Sequence, residues 1–413
     1  MKAICLPSSL PCFTRAPRIH RVRSELSFLA GNANYRRELE AAVDVVQKAC
    51  RLCVDLFQKD RGILEKSDRT PVTVADFGVQ ALVSMELTRL FPSIPLVAEE
   101  DSSQLLLDLE TSHQHANDAS NSLVEAVSNA VANSLSLQAD LLNYDELLKA
   151  IDRGGKETTS LEEEPATYWV LDPIDGTRGF LRGGMALYVV GLALVVEGRP
   201  ILGVMGCPNW DKDSTNIAEN LARGMTNKNE ITDFTRTGAI MAACYGFGTW
   251  MKMIPLNTIN VDVDESHNGW IRCSVDKCDS LWEARFCIAD RETWELLPLS
   301  NALEATSAPK GFGERWKPTI IPTCCGSLCK YFTVAMGRAS VFLLQVKSQP
   351  SVKVWDHAVG MICVSEAGGE VTGWDGSEMF LASDGVGRRS ITPGGGGILV
   401  TNGTLHNHLL DMI

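Results

Sequence analysis

The chain has no uninterrupted apolar run of about 18 residues, so no membrane-spanning helix is expected. Positive charge is also scarce. Lys and Arg number 38 against 51 Asp and Glu, a formal net charge of −13. That balance argues against a nucleic-acid polymer as partner, because phosphate backbones select basic surfaces. A small phosphorylated substrate stays open, since a bound cation supplies positive charge locally. The 13 cysteines show no disulfide-framework spacing, and no second Cys/His pair is placed to complete a zinc site with Cys50 and Cys53. They read as buried reduced thiols, with a redox switch as the alternative. The glycine run at 394–397 lacks GxGxxG or Walker spacing and reads as a flexible loop. The first acid is Glu25, and no secretory-type apolar stretch precedes it. Lys2, Arg15, Arg18, Arg21 and Arg23, with Ser8, Ser9 and Thr14 among them, describe a mitochondrial or chloroplast transit peptide over residues 1–33. The plainer alternative is an N-terminal extension without an address on a cytoplasmic protein.

What is present centres on LDPIDGTRGF, residues 171–180. A buried strand over 168–171 is expected to end in a turn at Pro173, which has no N–H and a fixed φ. The turn brings Asp172 and Asp175 toward one point, with the Ile174 carbonyl between them. Oxygen-only ligands suit a hard cation such as Mg²⁺. Gly176 permits close backbone approach, and the Gly176 and Thr177 amides can open a helix and hold an anion. The bland reading is a surface turn, since Asp, Pro and Gly are what turns are made of.

The chain's 413 residues suit two core-bearing units. Helical spacing of Leu39, Val43, Val46, Ala49, Val54 and Phe57 predicts an amphipathic helix over 35–57. A second helix over 77–90 has Asp76 near its first turn, where a carboxylate also serves as a cap. A strand over 94–98 runs into Glu99, Glu100 and Asp101, three acids that repel one another unless a cation sits there. Residues 102–164 read as a polar insertion on the rim, with helices over 123–142 and 144–151. A hairpin follows, with strands over 186–196 and 200–207, then strands over 238–250 and 256–263. The second unit opens over 271–289 and continues with a strand at 319–323, a helix over 328–335 and a strand at 339–345. A helix with Asp356 at its N-terminus stops near Gly368, and a last strand at 398–401 precedes a C-terminal helix.

Asp76, Glu99, the DPIDGT stretch and WDHAVG at 355–360, in this order, resemble the lithium-sensitive, Mg²⁺-dependent phosphomonoesterase superfamily that includes inositol monophosphatase and fructose bisphosphatase. The match runs from about residue 38 onward. SDRTPVTVADFGVQ (67–80), DPIDGTRGFLRGG (172–184) and CGSLCKY (325–331) narrow it to the 3′(2′),5′-bisphosphate nucleotidases, in particular the plant type acting on 3′-phosphoadenosine 5′-phosphate. The resemblance implies an α/β fold, a layered α/β/α/β/α sandwich of two subdomains, here 34–264 and 265–413, with the site between them. It implies Glu99, Asp172, Asp175, Asp356 and the Ile174 carbonyl as ligands of two or three Mg²⁺ ions. Asp76 and Thr177 match the pair that orients and deprotonates water. Gly176 and Thr177 match the amides at the scissile phosphate, and Ser327 and Lys330 match nucleotide contacts.

The chain departs from the family at three places. Ala98 stands where many members have Gly. Leu343, Leu344 and Gln345 stand where an Arg often serves the nucleotide, with Lys347, Lys353 and Arg338 as candidate replacements. Asp290, Arg291, Glu292 and Thr293 stand in place of a His-bearing loop. The activity expected is removal of the 3′-phosphate of adenosine 3′,5′-bisphosphate, with its sulfated form as a further substrate and a monomer acting on a small molecule. An inositol phosphate phosphatase is the alternative within the class, and a non-catalytic phosphonucleotide sensor the alternative outside it.

Overall fold

The computed structural model describes residues 34–59, 63–65, 71–114, 122–136, 142–155, 167–183, 186–210, 237–256, 269–289, 294–296, 299–300, 303, 318–323, 326–346, 351–381 and 390–413. The expected transit segment at 1–33, the stretch 66–70, the acidic run at 162–164, the proposed subdomain boundary at Asp264, residues 290–293, Cys324, Cys325 and Lys347 lie outside them.

Helix α1 (Arg36–Lys59) is followed by the paired strands β1 (Ile63–Glu65) and β2 (Pro71–Thr73), helix α2 (Val74–Leu90) and strand β3 (Leu96–Ala98). Helices α3 (Ser103–Gln114), α4 (Leu123–Leu135) and α5 (Tyr144–Gly154) come next. Strand β4 (Thr167–Asp175) leads through the short helix α6 (Thr177–Arg182) to β5 (Val189–Val196), β6 (Arg199–Cys207), β7 (Thr237–Cys244), β8 (Gly248–Pro255) and β9 (Ile271–Arg272). Strands β3 to β9 form one seven-stranded sheet in chain order. The rest comprises β10 (Arg285–Ala289), β11 (Thr319–Thr323), α7 (Ser327–Ala335), β12 (Val341–Gln345), β13 (Val352–Lys353), α8 (Ala358–Glu366), β14 (Glu370–Gly373), β15 (Ser390–Ile391), β16 (Gly397–Thr401) and α9 (His406–Leu410). Five of its strands form a second sheet, ordered β11-β10-β12-β16-β14.

The layers follow from where each element is apolar. Leu39, Val43, Val46, Cys50 and Cys53 recur at helical spacing and bury one face of α1. They pack with Ala75, Val79, Leu82 and Val83 of α2 on Trp169, Leu171, Val190 and Leu192 of the large sheet. Tyr168, Val170, Val189 and Ala193 project from the sheet's other face against α7 and α8 and, beyond them, Phe342, Ile398 and Val400 of the small sheet. Phe286, Leu343 and Leu399 face outward to Trp294, Leu299, Leu405 and Leu409. The architecture is thus the expected α/β/α/β/α sandwich. Helix α8 lies in its middle layer and is apolar all round, with Ala358 to Val364 all buried. Among the described residues, no helix is long and apolar enough to cross a membrane.

Five local expectations differ from the fold. Strand β4 does not stop at Pro173 but runs to Asp175 through a register shift against β5. The stretch 238–250 is not one strand. It reverses at 245–247, with Gly246 in the turn and Gly248 just after it taking φ of 79° and 81°, and the chain returns as β8. Helix α4 ends at Leu135, with Ser136 left-handed, rather than at 142. Strand β9, read as the opening of the second unit, pairs with Trp250 and Met251 of the large sheet. The insertion is more than a rim: Leu105, Val124, Val127, Val131, Leu147 and Ile151 share a core with Phe77 and Ala81 on the outer side of α2.

Candidate active site

The i, i+3 spacing of Asp172 and Asp175 has a structural cause. Alternation along β4 puts Asp172 on the face of Tyr168 and Val170, toward the central helices. In an unbroken strand, Asp175 would point to the other face. Asp172 lies opposite Gly191 and Asp175 opposite Val189, so three steps on β4 match two on β5. The one-residue bulge restores Asp175 to the face of Asp172. Asp356, just before α8, meets them there: one carboxylate oxygen from each of Asp172, Asp175 and Asp356 lies within 4.8 Å of the others. Glu99 joins from the side, because β3 runs parallel to β4 with Ala98 beside Leu171, setting Glu99 next to Asp172. Asp101, by contrast, turns away and accepts the Ser103 amide at 2.8 Å, starting α3.

The cluster is electrostatically unfavourable by itself. Burial, then the charges of Glu99, Asp175 and Asp356, push the Asp172 carboxyl well above the usual range. Asp356 shifts the same way through burial and its acidic neighbours. Asp175 is raised by burial to about 6, with Lys330 and the amides of Leu328 and Ser327 opposing the shift. Among the described residues, Asp172 Oδ1 is buried with no hydrogen-bond partner. An orphaned oxygen among crowded carboxylates fits a hard divalent cation such as Mg²⁺.

Asp76 is the third residue of α2 and closes a capping box. Its Oδ2 accepts the Thr73 amide at 2.7 Å and the Thr73 hydroxyl at 2.6 Å. Its Oδ1 accepts a hydrogen bond from Thr177 Oγ1 at 3.3 Å. The capping and water-orienting readings of Asp76 thus use different oxygens of one carboxylate. The Thr177 hydroxyl also lies 3.2 Å from the Ile174 carbonyl. Gly176 caps α6 in a left-handed conformation, φ 89°, turning the first amides of that helix outward from the end of β4.

Ser327 and Lys330 reach the cluster from the opposite subdomain. The amides of Ser327 and Leu328 donate to the two oxygens of Asp175 at 3.0 and 2.7 Å. Lys330 is buried, with Nζ donating to the Gly326 carbonyl at 2.7 Å and standing 5.7 Å from the Phe342 ring centroid. The backbone bond from Ser327 was not foreseen, and a side-chain motif carries no signal for it. Tyr331 and His357 lie close by. They form a buried pair, 3.1 Å from hydroxyl to Nδ1, beneath Asp356. Of the candidate replacements for the family's Arg, Arg338 lies beyond the far end of α7, its guanidinium 4.6 Å from the Trp210 ring centroid. Lys353 is three residues before Asp356, and its charge partly opposes the upward shift of that acid. Leu344 and Gln345 are half-buried at the end of β12.

A model of the inositol monophosphatase family matches residues 34–410. The chain belongs to the inositol monophosphatase family. Its relatives include the putative mitochondrial 3′(2′),5′-bisphosphate nucleotidase of Arabidopsis thaliana, 50% identical over 396 residues that cover 95% of this chain and 90% of that protein. The 3′(2′),5′-bisphosphate nucleotidase 1 of the same plant is 35% identical over 81% of this chain and 84% of its own length. The 3′(2′),5′-bisphosphate nucleotidase of Oryza sativa is 32% identical over 86% of this chain and 88% of its own. Among solved structures of the inositol monophosphatase fold, the Thermotoga maritima IMPase superposes with a TM-score of 0.51 at 18% identity, covering 91% of this chain and 96% of that one. The extragenic suppressor protein suhB of Bartonella henselae gives 0.51 at 17%, over 91% and 98%. At these identities the likeness is one of fold.

The electrostatics predict how metal and pH act together on stability. In the metal-free fold Asp175 keeps its proton up to about pH 6, whereas its unfolded carboxyl ionises from about 3.8. Folding therefore loses stability as pH rises through that window, and the loss is complete above it. Asp172 and Asp356, shifted in the same direction, extend the loss upward. His357, held neutral by burial with its pKa lowered to about 3, costs stability below its unfolded value of 6.5. It acts in the opposite direction, so the diagnostic quantity is the difference made by metal. Mg²⁺ is expected to raise the melting temperature by several degrees at pH 7.5 and by distinctly less at pH 5. Thermal denaturation with chelator or Mg²⁺ at both pH values checks this, and an equal shift at both contradicts it.

Proposed function

We propose that this protein is a Mg²⁺-dependent phosphomonoesterase that removes the 3′-phosphate of 3′-phosphoadenosine 5′-phosphate to give AMP, and that also accepts the 5′-phosphosulfate form. The observation that carries the reading is the meeting of Asp172, Asp175 and Asp356 beside the Asp76–Thr177 pair. The names of the plant relatives supply the substrate class. Glu99, Asp172, Asp175, Asp356 and the Ile174 carbonyl are the groups that would hold Mg²⁺, two or three ions by the family resemblance. Mg²⁺ bound there supplies charge neutralisation for the phosphoryl group and makes a nearby water more acidic.

The chain's own groups do the rest. Thr177 donates its hydroxyl proton to Asp76, which leaves its lone pairs to accept a proton from the attacking water. As the water attacks phosphorus, its proton passes to Thr177 Oγ1 and the Thr177 proton to Asp76. The leaving 3′-oxygen departs with the bonding pair and takes a proton from solvent. The Gly176 and Thr177 amides hold the phosphoryl oxygens, with Asp356 at the far side of the group. Ser327 and Lys330 contact the nucleotide. The Arg-rich stretch before Glu25, together with the mitochondrial relative, supports import into the mitochondrion.

The test is phosphate release by the full chain from four substrates side by side, each with Mg²⁺ and with or without Li⁺. They are 3′-phosphoadenosine 5′-phosphate, inositol 1-phosphate, inositol 1,4-bisphosphate and fructose 1,6-bisphosphate. Strong preference for the adenosine compound, inhibited by Li⁺, is the expected result. Preference for an inositol phosphate overturns the nucleotide contacts and leaves the metal site standing. Tight nucleotide binding without phosphate release makes the protein a sensor.

A further inference from the structure

We infer that Gln80 and Asp152 are positioning residues for the Glu99 carboxylate, and that helix α5 of the insertion buttresses the corner of the fold that carries it. The inference rests on the metal-site reading above and concerns residues to which that reading gives no role. Glu99 follows a strand of three residues that, among the described residues, lies at the edge of the large sheet. A carboxylate at such a corner faces repulsion from Asp172, Asp175 and Asp356. Something must brace it.

Gln80 lies one turn after Asp76 on α2 and is fully buried. Its Nε2 donates to the Glu100 carbonyl at 2.5 Å and to the Ile151 carbonyl at 2.8 Å, and its Oε1 accepts the Glu100 amide at 2.9 Å. Reversing the amide would set its oxygen against two carbonyls, so only one orientation satisfies all three bonds. One side chain thus holds both backbone groups of the residue after Glu99 and ties them to α5. A second tie lies two residues further on. Asp152 of α5 accepts the Ser102 amide at 2.9 Å and the Ser102 hydroxyl at 2.7 Å. The end of α5 also packs directly on this corner. A Cβ at Gly154 would lie 2.7 Å from Ala98 Cβ, and one at Gly155 would collide with the Glu100 carbonyl oxygen. Residues 98–102 are therefore gripped along their whole length by α2 and α5. The insertion supplies the α5 half of that grip.

The experiment compares the full chain with Asp152→Ala, Asp152→Asn and Gln80→Met. Mg²⁺ binding is read by titration calorimetry, alongside the Mg²⁺ concentration giving half-maximal phosphate release and the substrate KM at saturating Mg²⁺. Asp152→Ala and Gln80→Met are expected to weaken Mg²⁺ binding by about tenfold or more, the usual scale for groups that orient metal ligands. The substrate KM at saturating Mg²⁺ stays as in the parent. Asp152→Asn keeps an acceptor for the Ser102 amide and restores binding. If Gln80→Met does not fold, the two Asp152 variants decide, since Asp152 is only partly buried. Unchanged Mg²⁺ affinity in folded Asp152→Ala, with only its melting temperature lowered, overturns the inference and leaves the metal site intact. A parent chain that binds no Mg²⁺ overturns the metal-site reading and this inference with it.

Discussion

Asp172→Asn is expected to lower turnover by about 10²-fold or more, the scale on which single preorganised electrostatic contacts matter in catalysis, and to raise the melting temperature of the metal-free protein. The two effects have one cause. Asp172 is 1% exposed, lies beside Glu99, Asp175 and Asp356, and has one oxygen without a protein partner. Those features are a burden in the absence of metal and the means of holding it in its presence. Asn fills the same space, removes one negative charge from the cluster, and so relieves repulsion while weakening the cation site. Steady-state phosphate release at saturating Mg²⁺ and thermal denaturation in chelator read the two effects. A folded variant with near-normal turnover removes Asp172 from the metal site. A metal-free variant that melts lower than the parent contradicts the electrostatic account.

Asp76→Asn separates the two roles that meet in one carboxylate. The cap depends on Oδ2, which accepts from the Thr73 amide and hydroxyl. An Asn side-chain oxygen placed there still accepts from Thr73, as a neutral Gln does at the third helical position of other capping boxes. The amide nitrogen then faces Thr177 at the position of Oδ1. It can donate to Thr177 Oγ1 but cannot accept its proton. The route by which the water's proton reaches a carboxylate is then closed. Turnover is expected to fall by about 10²–10⁴-fold, the usual contribution of a positioned general base. Stability is expected to change little. The checks are kcat at saturating substrate and the melting temperature with chelator. A loss of stability matching the loss of activity would mean that Asp76 acts only as a cap.

How much of this was legible in the sequence depends on the range of the interactions. The apolar spacing of Leu39, Val43 and Val46 marks α1 because the information lies within a few turns. The acids of the cluster were legible because DPIDGT and WDHAVG carry them in compact motifs. Their convergence was foreseen, but for a different reason from the one observed. Pro173 was read as the end of a strand, yet a proline is also tolerated at a bulge, where no ladder N–H is needed. The bulge is what returns Asp175 to the face of Asp172. Capping and water orientation were weighed as rival readings of Asp76, because a sequence does not show that a carboxylate's two oxygens can point to different partners. The hairpin β7–β8 had a local signal in Gly246 and Gly248, overlooked in favour of the apolar run on either side. The grip of α5 on residues 98–102 had none. Gln80 and Ile151 are 71 positions apart, and nothing in either neighbourhood announces their hydrogen bond.

The central claim is best tested by identifying the products of 3′-phosphoadenosine 5′-phosphate after incubation with the full chain, with Mg²⁺ and with chelator. The account predicts adenosine 5′-monophosphate and one equivalent of inorganic phosphate, formed only with Mg²⁺. Adenosine 3′-monophosphate as product, equal phosphate release in chelator, or no release from a folded protein that binds Mg²⁺ would contradict it.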